Sequence, residues 1–367
     1  MGKGAVRIGL DLEQSSIAAV QIKSNKQGQI LTGAAVRSLP EGLVFEGEVV
    51  DADGLASELK TFWKDAKLNG RRVNLGLANQ KIVVRTVEFP QIPESELRAA
   101  VEFQAQEHIP IPVDEAVLDY QILSTYNDDG GAKQKILLVA AQKDMVRQFV
   151  DVAKKAGLTV DGIDLQAFAL ARALAPRPAF IDQGATTNGD GATALVNVGS
   201  GITNLLVAVG GMPQFTRVIN MGCESLTQAL MTHRGIDHDA AEHLRLAVGL
   251  TGEGEEPHPD LTPETIGEIH QVLDQASEAI ADEIRRSVDY YHTQERDGSI
   301  GKLIVSGDGS LTNNVDVFLS QALRLPVEIG NPLSEVGENK SKLSEAELEA
   351  IAPRLTIAIG LALDDEE

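Results

Sequence analysis

A strand–turn–strand unit occurs twice in this chain, and that duplication constrains the fold more than any other feature of the sequence. The first copy carries Leu10-Asp11-Leu12-Glu13-Gln14-Ser15-Ser16, with strand-like runs at Val6–Leu12 and Ile17–Ile22. The second carries Val196-Asn197-Val198-Gly199-Ser200-Gly201-Ile202-Thr203, with runs at Ala194–Val198 and Thr203–Val209. A repeated unit restricts the whole architecture, because each copy needs a neighbour to cover its apolar face. The repeat predicts two related α/β halves facing each other across a cleft. The 367 residues, 43% hydrophobic and 23% charged, are enough for two to four domains with sizeable cores. Disordered, collagen-like and coiled-coil classes are excluded.

Between the two copies the periodicity alternates between strand and helix. A strand is expected at Ile30–Val36, a helix at Leu55–Lys67 and a strand at Arg72–Ala78. From Lys81 the texture changes. A strand at Val83–Val87 is followed by Pro90 and Pro93, by helical spacing at Leu97, Ala100, Val101 and Ala105, and by a stop at Pro110 and Pro112. Strands at Val117–Ser124 and Gln134–Ala141 flank the hairpin signal Asn127-Asp128-Asp129-Gly130-Gly131, and a helix follows over Lys143–Ala156. This block, residues 81–165, reads as an inserted subdomain (1C). Residues 1–80 then form a first subdomain (1A), continued by 166–193 and 355–367. Residues 194–354 form the second lobe (2A, with 2B near 230–300). The polar stretch Asp182–Gly191 marks the boundary between the lobes.

Charge excludes several functions. Lys and Arg total 32 against 54 Asp and Glu, a formal net charge of −22, so nucleic acid and anionic lipid are not expected partners. Cys223 stands alone, which leaves no disulfide framework and no cysteine-based zinc spacing; a small buried residue is expected there. The N-terminus lacks a signal-like apolar stretch, and the longest apolar run, Leu355–Leu363, is far short of a membrane span. A soluble, cytoplasmic chain is expected, without direct membrane insertion.

Two glycine-rich turns carry the chemistry. Gly199-Ser200-Gly201 lies between strands and presents backbone N–H groups that no side chain obstructs, a geometry able to hold an anion. Ser306-Gly307-Asp308-Gly309-Ser310 follows an apolar strand at Lys302–Val305 and leads into a helix, where the helix dipole favours an anion or nucleotide. Glycine turns in hairpins are common and usually hold nothing. In this order, on a duplicated unit, they point to a nucleotide cleft.

With these residues in place, the sequence resembles the actin/Hsp70/hexokinase nucleotide-binding fold and, within it, the PilM family of type IV pilus assembly proteins. The most specific stretch runs Arg85-Thr86-Val87-Glu88-Phe89-Pro90-Gln91-Ile92-Pro93-Glu94-Ser95-Glu96-Leu97, on through His108-Ile109-Pro110-Ile111-Pro112 to Leu118-Asp119-Tyr120. It is similar to the inserted subdomain that PilM shares in position with the division protein FtsA. The resemblance implies a two-lobed α/β fold with ATP and Mg²⁺ as the cofactor. Its nucleotide contacts would come from Asp11, Glu13, Ser15, Ser16, Asn197, Gly199, Ser200, Gly201, Thr203, Glu224, Gly307, Gly309 and Ser310, with Asp11 the one candidate on the metal. The sequence departs from the family pattern in the first loop, where Glu13 stands for glycine, Gln14 for a hydroxyl residue and Ala18 for lysine. Asn197 stands for the aspartate of the second loop. A carboxylate at Glu13 opposes a phosphate, and Asn197 removes charge from a metal site, so no measurable ATP hydrolysis is expected.

The resemblance further implies a scaffold that docks the N-terminal cytoplasmic tail of a PilN-like bitopic inner-membrane protein and so lies peripheral to that membrane. An extended tail suits a groove between the first subdomain and the insert, with contacts expected at Val83, Val84, Val87, Leu97 and Val101. Self-association is a further expectation. The alternatives are an active actin-like ATPase and an FtsA-like filament-forming division protein. The acidic end Asp364-Asp365-Glu366-Glu367 is unlike the basic amphipathic helix of the latter.

Overall fold

The computed structural model describes residues 5–26, 28–128, 131–175, 191–252, 259–294 and 299–363. The Asp129-Gly130 turn, the Asp182–Gly191 boundary apart from Gly191, residues 253–258 and the 364–367 tail lie outside them. So do residues 176–190 of the segment assigned to the first subdomain.

The chain opens with an antiparallel meander of β1 (Val6–Leu12), β2 (Ser16–Asn25) and β3 (Gly28–Ser38). A small ribbon of β4 (Val44–Phe45) and β5 (Glu48–Val49) leads into α1 (Ala52–Ala66). Asp51 starts that helix by accepting the amides of Asp53 and Gly54 at 3.1 and 2.9 Å, which satisfies donors the first turn leaves open. β6 (Arg72–Leu77) then returns parallel to β1.

The insert follows as β7 (Val83–Pro90), α2 (Glu94–His108), β8 (Ala116–Asp128) and β9 (Gly131–Gln142). Its three strands form their own sheet in the order β7-β9-β8. Phe89, Leu97, Val101, Ala105, Ile136 and Leu138 make a separate core between α2 and one face of that sheet. The next two elements belong elsewhere, which corrects the expected boundary at 165. α3 (Lys143–Lys155) packs Met145, Phe149, Val152 and Ala153 against Leu55, Leu59 and Phe62 of α1. β10 (Thr159–Leu165) pairs with β6 as the last strand of the first sheet. The insert therefore ends at Gln142. No proline or glycine marks the exit, because α3 continues directly from β9.

α4 (Gln166–Leu174) crosses to the second lobe, which repeats the first lobe's plan. β11 (Ala192–Val198), β12 (Thr203–Val209) and β13 (Met212–Ile219) form an antiparallel meander. After α5 (Glu224–Arg234), α6 (His238–Ala247) and the long α7 (Pro263–Gln294), β14 (Ile300–Ser306) runs parallel to β11. α8 (Val315–Leu323) and β15 (Val327–Ile329) follow. The sheet orders are β10-β6-β1-β2-β3-β16 and β13-β12-β11-β14-β15, so each meander is extended on its first strand by two parallel neighbours. That is the duplication the sequence predicted. The return to the first lobe comes earlier than residue 355: β16 (Glu338–Asn339) already pairs with β3, and α9 (Glu345–Ala362) starts on a Ser344–Glu347 capping box.

α4 and α9 lie between the two sheets. Ala167, Ala169 and Leu170 of α4 meet Ile357 and Leu361 of α9, together with Leu195, Leu206 and Ile304 from the second sheet. The helices touch through glycine: a Cβ on Gly360 would sit 1.9 Å from the Ala169 carbonyl oxygen.

The candidate nucleotide cleft and a groove beside the insert

Both duplicated turns point into the cleft above α4. Glu13-Gln14-Ser15 connects β1 to β2, and Gly199-Ser200-Gly201 connects β11 to β12. They are bonded to each other. The Ser200 amide donates to Glu13 Oε2 at 2.8 Å, its hydroxyl lies 3.3 Å from the same oxygen, and the Ser15 amide donates to Ser200 Oγ at 3.1 Å. Burial is the main cause that pushes the Glu13 carboxyl up, and the Ser200 amide opposes it in part. A cavity of about 10 Å³ remains between Glu13, Glu46, Phe149 and Gly201, room for about one water.

Asp11 lies at the end of β1 and is 3% exposed. Gln166 Nε2 donates to Asp11 Oδ1 at 2.6 Å, and Gln166 Oε1 accepts from Asn204 Nδ2 at 2.8 Å, a buried chain of side chains joining the two lobes. Burial first, and then the charge of Glu13, push the Asp11 carboxyl well above the usual carboxylate range. Ser16 is the first residue of β2 and pairs with Ser38. Asn197 is buried at the end of β11. Sequence reasoning missed Gln166 and Asn204. Gln166 has a detectable signal: it follows the carboxyl end of a parallel strand, where α/β folds place ligands.

The remaining expected contacts turn inward. The Thr203 hydroxyl donates to the Met221 carbonyl at 2.7 Å. Ser310 does the same to Gly307 at 2.7 Å. Gly307 has φ +86°, and Cβ atoms on Gly307 and Gly309 would meet Val198 at 2.5 and 2.4 Å, so these glycines serve close packing on the second loop. Asp308 between them is the centre of an ion cluster that the sequence gave no hint of. Arg245 Nη2 reaches it at 3.1 Å and Arg354 Nε at 2.5 Å, and Arg354 also pairs with Glu242 at 2.9 Å. Cys223 is the buried residue expected, its Sγ 3.2 Å from Asp308 Oδ2; burial pushes the thiol well up. Glu224 faces His238, with 3.1 Å between Oε1 and Nε2, while its amide donates to the Ser200 carbonyl.

The bare faces of both loop glycines are covered: Cβ atoms on Gly199 and Gly201 would lie 2.6 Å from Glu13 Oε2 and 2.3 Å from Gln14 Oε1. Asp11 is committed to Gln166, and among the described residues no group of three or more His, Cys, Asp or Glu could hold a metal.

A second concavity, about 740 Å³, lies where the insert faces the first lobe. Its walls include Asp119 and Val139 from the insert sheet, Gly162 from β10, Phe168 and Arg172 from α4, and Met212 from β13. β10 ends the first sheet here, paired on one side only among the described residues, and Ile163 is 40% exposed. The burial of the expected docking residues corrects part of that set. Val87, Leu97 and Val101 belong to the insert core and Val83 packs against it, because α2 covers that face of the sheet. Val84 differs: it stands opposite Val139, which stands opposite Asp119, so all three share the face turned to the groove.

Residues 9–366 match the protein family described as type IV pilus assembly protein PilM. The chain belongs to this family. PilM membership agrees with the solved structure titled as a PilM–PilN type IV pilus biogenesis complex, which is 24% identical, covers 97% of both chains and superposes with a TM-score of 0.78. Cell division protein FtsA of Borreliella burgdorferi is 20% identical, covering 98% of this chain and 91% of that protein. MreB5 of Spiroplasma citri bound to ADP is 15% identical over 98% of this chain and 95% of its own, with a TM-score of 0.51. The fold of this PilM-family chain is therefore actin-like.

Proposed function

We propose that this chain is a docking scaffold of a type IV pilus assembly machine, and that it holds the extended N-terminal tail of a PilN-like inner-membrane protein in the groove between β10 and the insert. The observation that carries the reading is the groove itself: about 740 Å³ beside β10, the edge strand of the first sheet among the described residues. An extended segment adding to that edge gains main-chain hydrogen bonds, while alternate side chains enter the apolar wall formed by Val139, Phe168 and Met212. The −22 net charge of the chain favours a tail carrying Lys or Arg beside its apolar anchors, with Asp119 in the groove as one partner for it. The chain reaches the membrane through this partner; among the described residues no helix is long and apolar enough to cross one. What supports docking over ATP hydrolysis is that Asp11 and Glu13 are bonded within the protein.

The test is fluorescence polarisation with labelled peptides from the cytoplasmic tails of bitopic proteins encoded beside this one, with and without ATP and Mg²⁺. One tail should bind saturably, bind more weakly as salt rises, and lose affinity on Val139→Asp. A tail that binds the Val139→Asp protein undiminished does not use this groove.

A further inference from the structure

We propose that Glu13 and Gln14 fill, from within the chain, the phosphate-facing side of the second glycine loop, so that this cleft closes on its own carboxylate and takes no nucleoside triphosphate. A loop such as Gly199-Ser200-Gly201 binds anions because its glycines let a ligand approach the backbone amides. Here the approach is taken. The Glu13 carboxylate lies against the bare face of Gly199, 2.6 Å from where a Cβ would be, and the Gln14 amide oxygen lies against that of Gly201, at 2.3 Å. Between them the Ser200 amide donates 2.8 Å to Glu13 Oε2, the kind of bond it would give a phosphate oxygen. The Ser200 hydroxyl donates to the same oxygen and accepts from the Ser15 amide, which closes a ring of hydrogen bonds across the two lobes.

Two of the three residues that depart from the family pattern in the first loop, Glu13 and Gln14, are thus the ones that cover the two glycines of the second. A random loss of the phosphate site would leave the glycine faces open to solvent; these are filled by an acid and an amide of matching reach. At the third loop Asp308 is held between Arg245 and Arg354. Glu46 Oε2 accepts from Asn220 Nδ2 at 2.8 Å and adds a further bond between the lobes on the same side. The chain supplies its own anion to hold the loops together, the work a nucleotide's phosphates do elsewhere in this fold.

This inference stands apart from the docking proposal, since a protein that bound no tail could still show it. The probes are N-methylanthraniloyl-ATP with Mg²⁺, inorganic pyrophosphate, and hydrogen exchange of the Ser200 amide. The wild-type protein should give no saturable signal with either ligand. The double variant Glu13→Gly, Gln14→Ser uncovers the loop and should gain thermal stabilisation by pyrophosphate. Glu13→Gln keeps the volume, removes the charge and should speed exchange of the Ser200 amide roughly tenfold, a readout that does not need the double variant to fold. Saturable wild-type binding of N-methylanthraniloyl-ATP, competed by ATP, would overturn the proposal. So would a folded double variant indifferent to pyrophosphate, or a Ser200 amide that exchanges equally in Glu13→Gln and wild type.

Discussion

Replacing Arg245 with methionine should lower the stability of the second lobe by about 3–5 kcal/mol, the usual cost of removing one member of a buried ion pair. Arg245 is 1% exposed, and its guanidinium donates to the Asp308 carboxylate at 3.1 Å, the Asp308 carbonyl at 3.4 Å and the Thr312 hydroxyl at 2.9 Å. Methionine fills a similar volume without charge, so the loss is electrostatic and Asp308 keeps Arg354 as its cation, with the Cys223 thiol beside it. Burial alone would raise the Asp308 carboxyl, yet Arg245 and then Arg354 outweigh it and hold it below the ordinary value. A depressed carboxyl contributes stability above its unfolded pKa, and that contribution is lost as pH falls through its folded value. Acidification should therefore destabilise the variant less than the wild type. Calorimetry suits a two-lobed chain, whose lobes need not melt together, and the second-lobe transition should fall by roughly 10 °C. A double-mutant cycle with Asp308→Asn isolates the coupling. If Arg245→Met melts within about 2 °C of wild type, or the two single losses simply add, the reasoning fails.

Gly360→Ala should destabilise, although an alanine inside a helix ordinarily gains about 1 kcal/mol over glycine, because its Cβ would fall 1.9 Å from the Ala169 carbonyl; a higher melting temperature would mean that α9 and α4 can part at no cost. Val84→Asp should weaken tail binding with an unchanged circular dichroism spectrum, whereas Leu97→Ala should cost about 2–5 kcal/mol of insert stability and leave tail affinity alone; the reverse pattern would place the docking face under α2. His238 is partly buried, which lowers its pKa, but the hydrogen bond and charge of Glu224 outweigh this and raise it. Its contribution is complete below the unfolded value and disappears as pH rises through the folded one, so Glu224→Gln should lower the His238 midpoint in an NMR titration; an unmoved midpoint would show that the pair is inert.

The two β-meanders, the separate insert and the acidic surface were legible in the residues, because each rests on local rules. Alternation at Val6–Leu12, the apolar run at Ala194–Val198, the Pro90 and Pro93 breaks and the Asn127–Gly131 hairpin signal each act over a few neighbouring residues. The departures at Glu13, Gln14 and Asn197 were legible as departures. Their consequence was not, since whether Glu13 repels a phosphate or replaces one depends on where Ser200 lies, 187 positions away.

The end of the insert shows the same limit. The Lys143–Ala156 helix was correctly predicted and assigned to the wrong body, because an apolar stripe says that a helix will be covered and leaves open what will cover it. Leu97 and Val101 carry helical spacing whether they face a partner or the insert's own sheet; only the packing of α2 on β9 decides for the sheet. Arg245, Arg354 and Asp308 are three ordinary charges along the sequence, and they become one cluster only when α6, α9 and the turn after β14 converge. By itself the sequence determined the elements, their duplication and the charge of the surface, since these follow from periodicity and composition. The tertiary structure decided which side chains share an interior, since burial and pairing energies depend on distances in space that spacing along the chain does not encode.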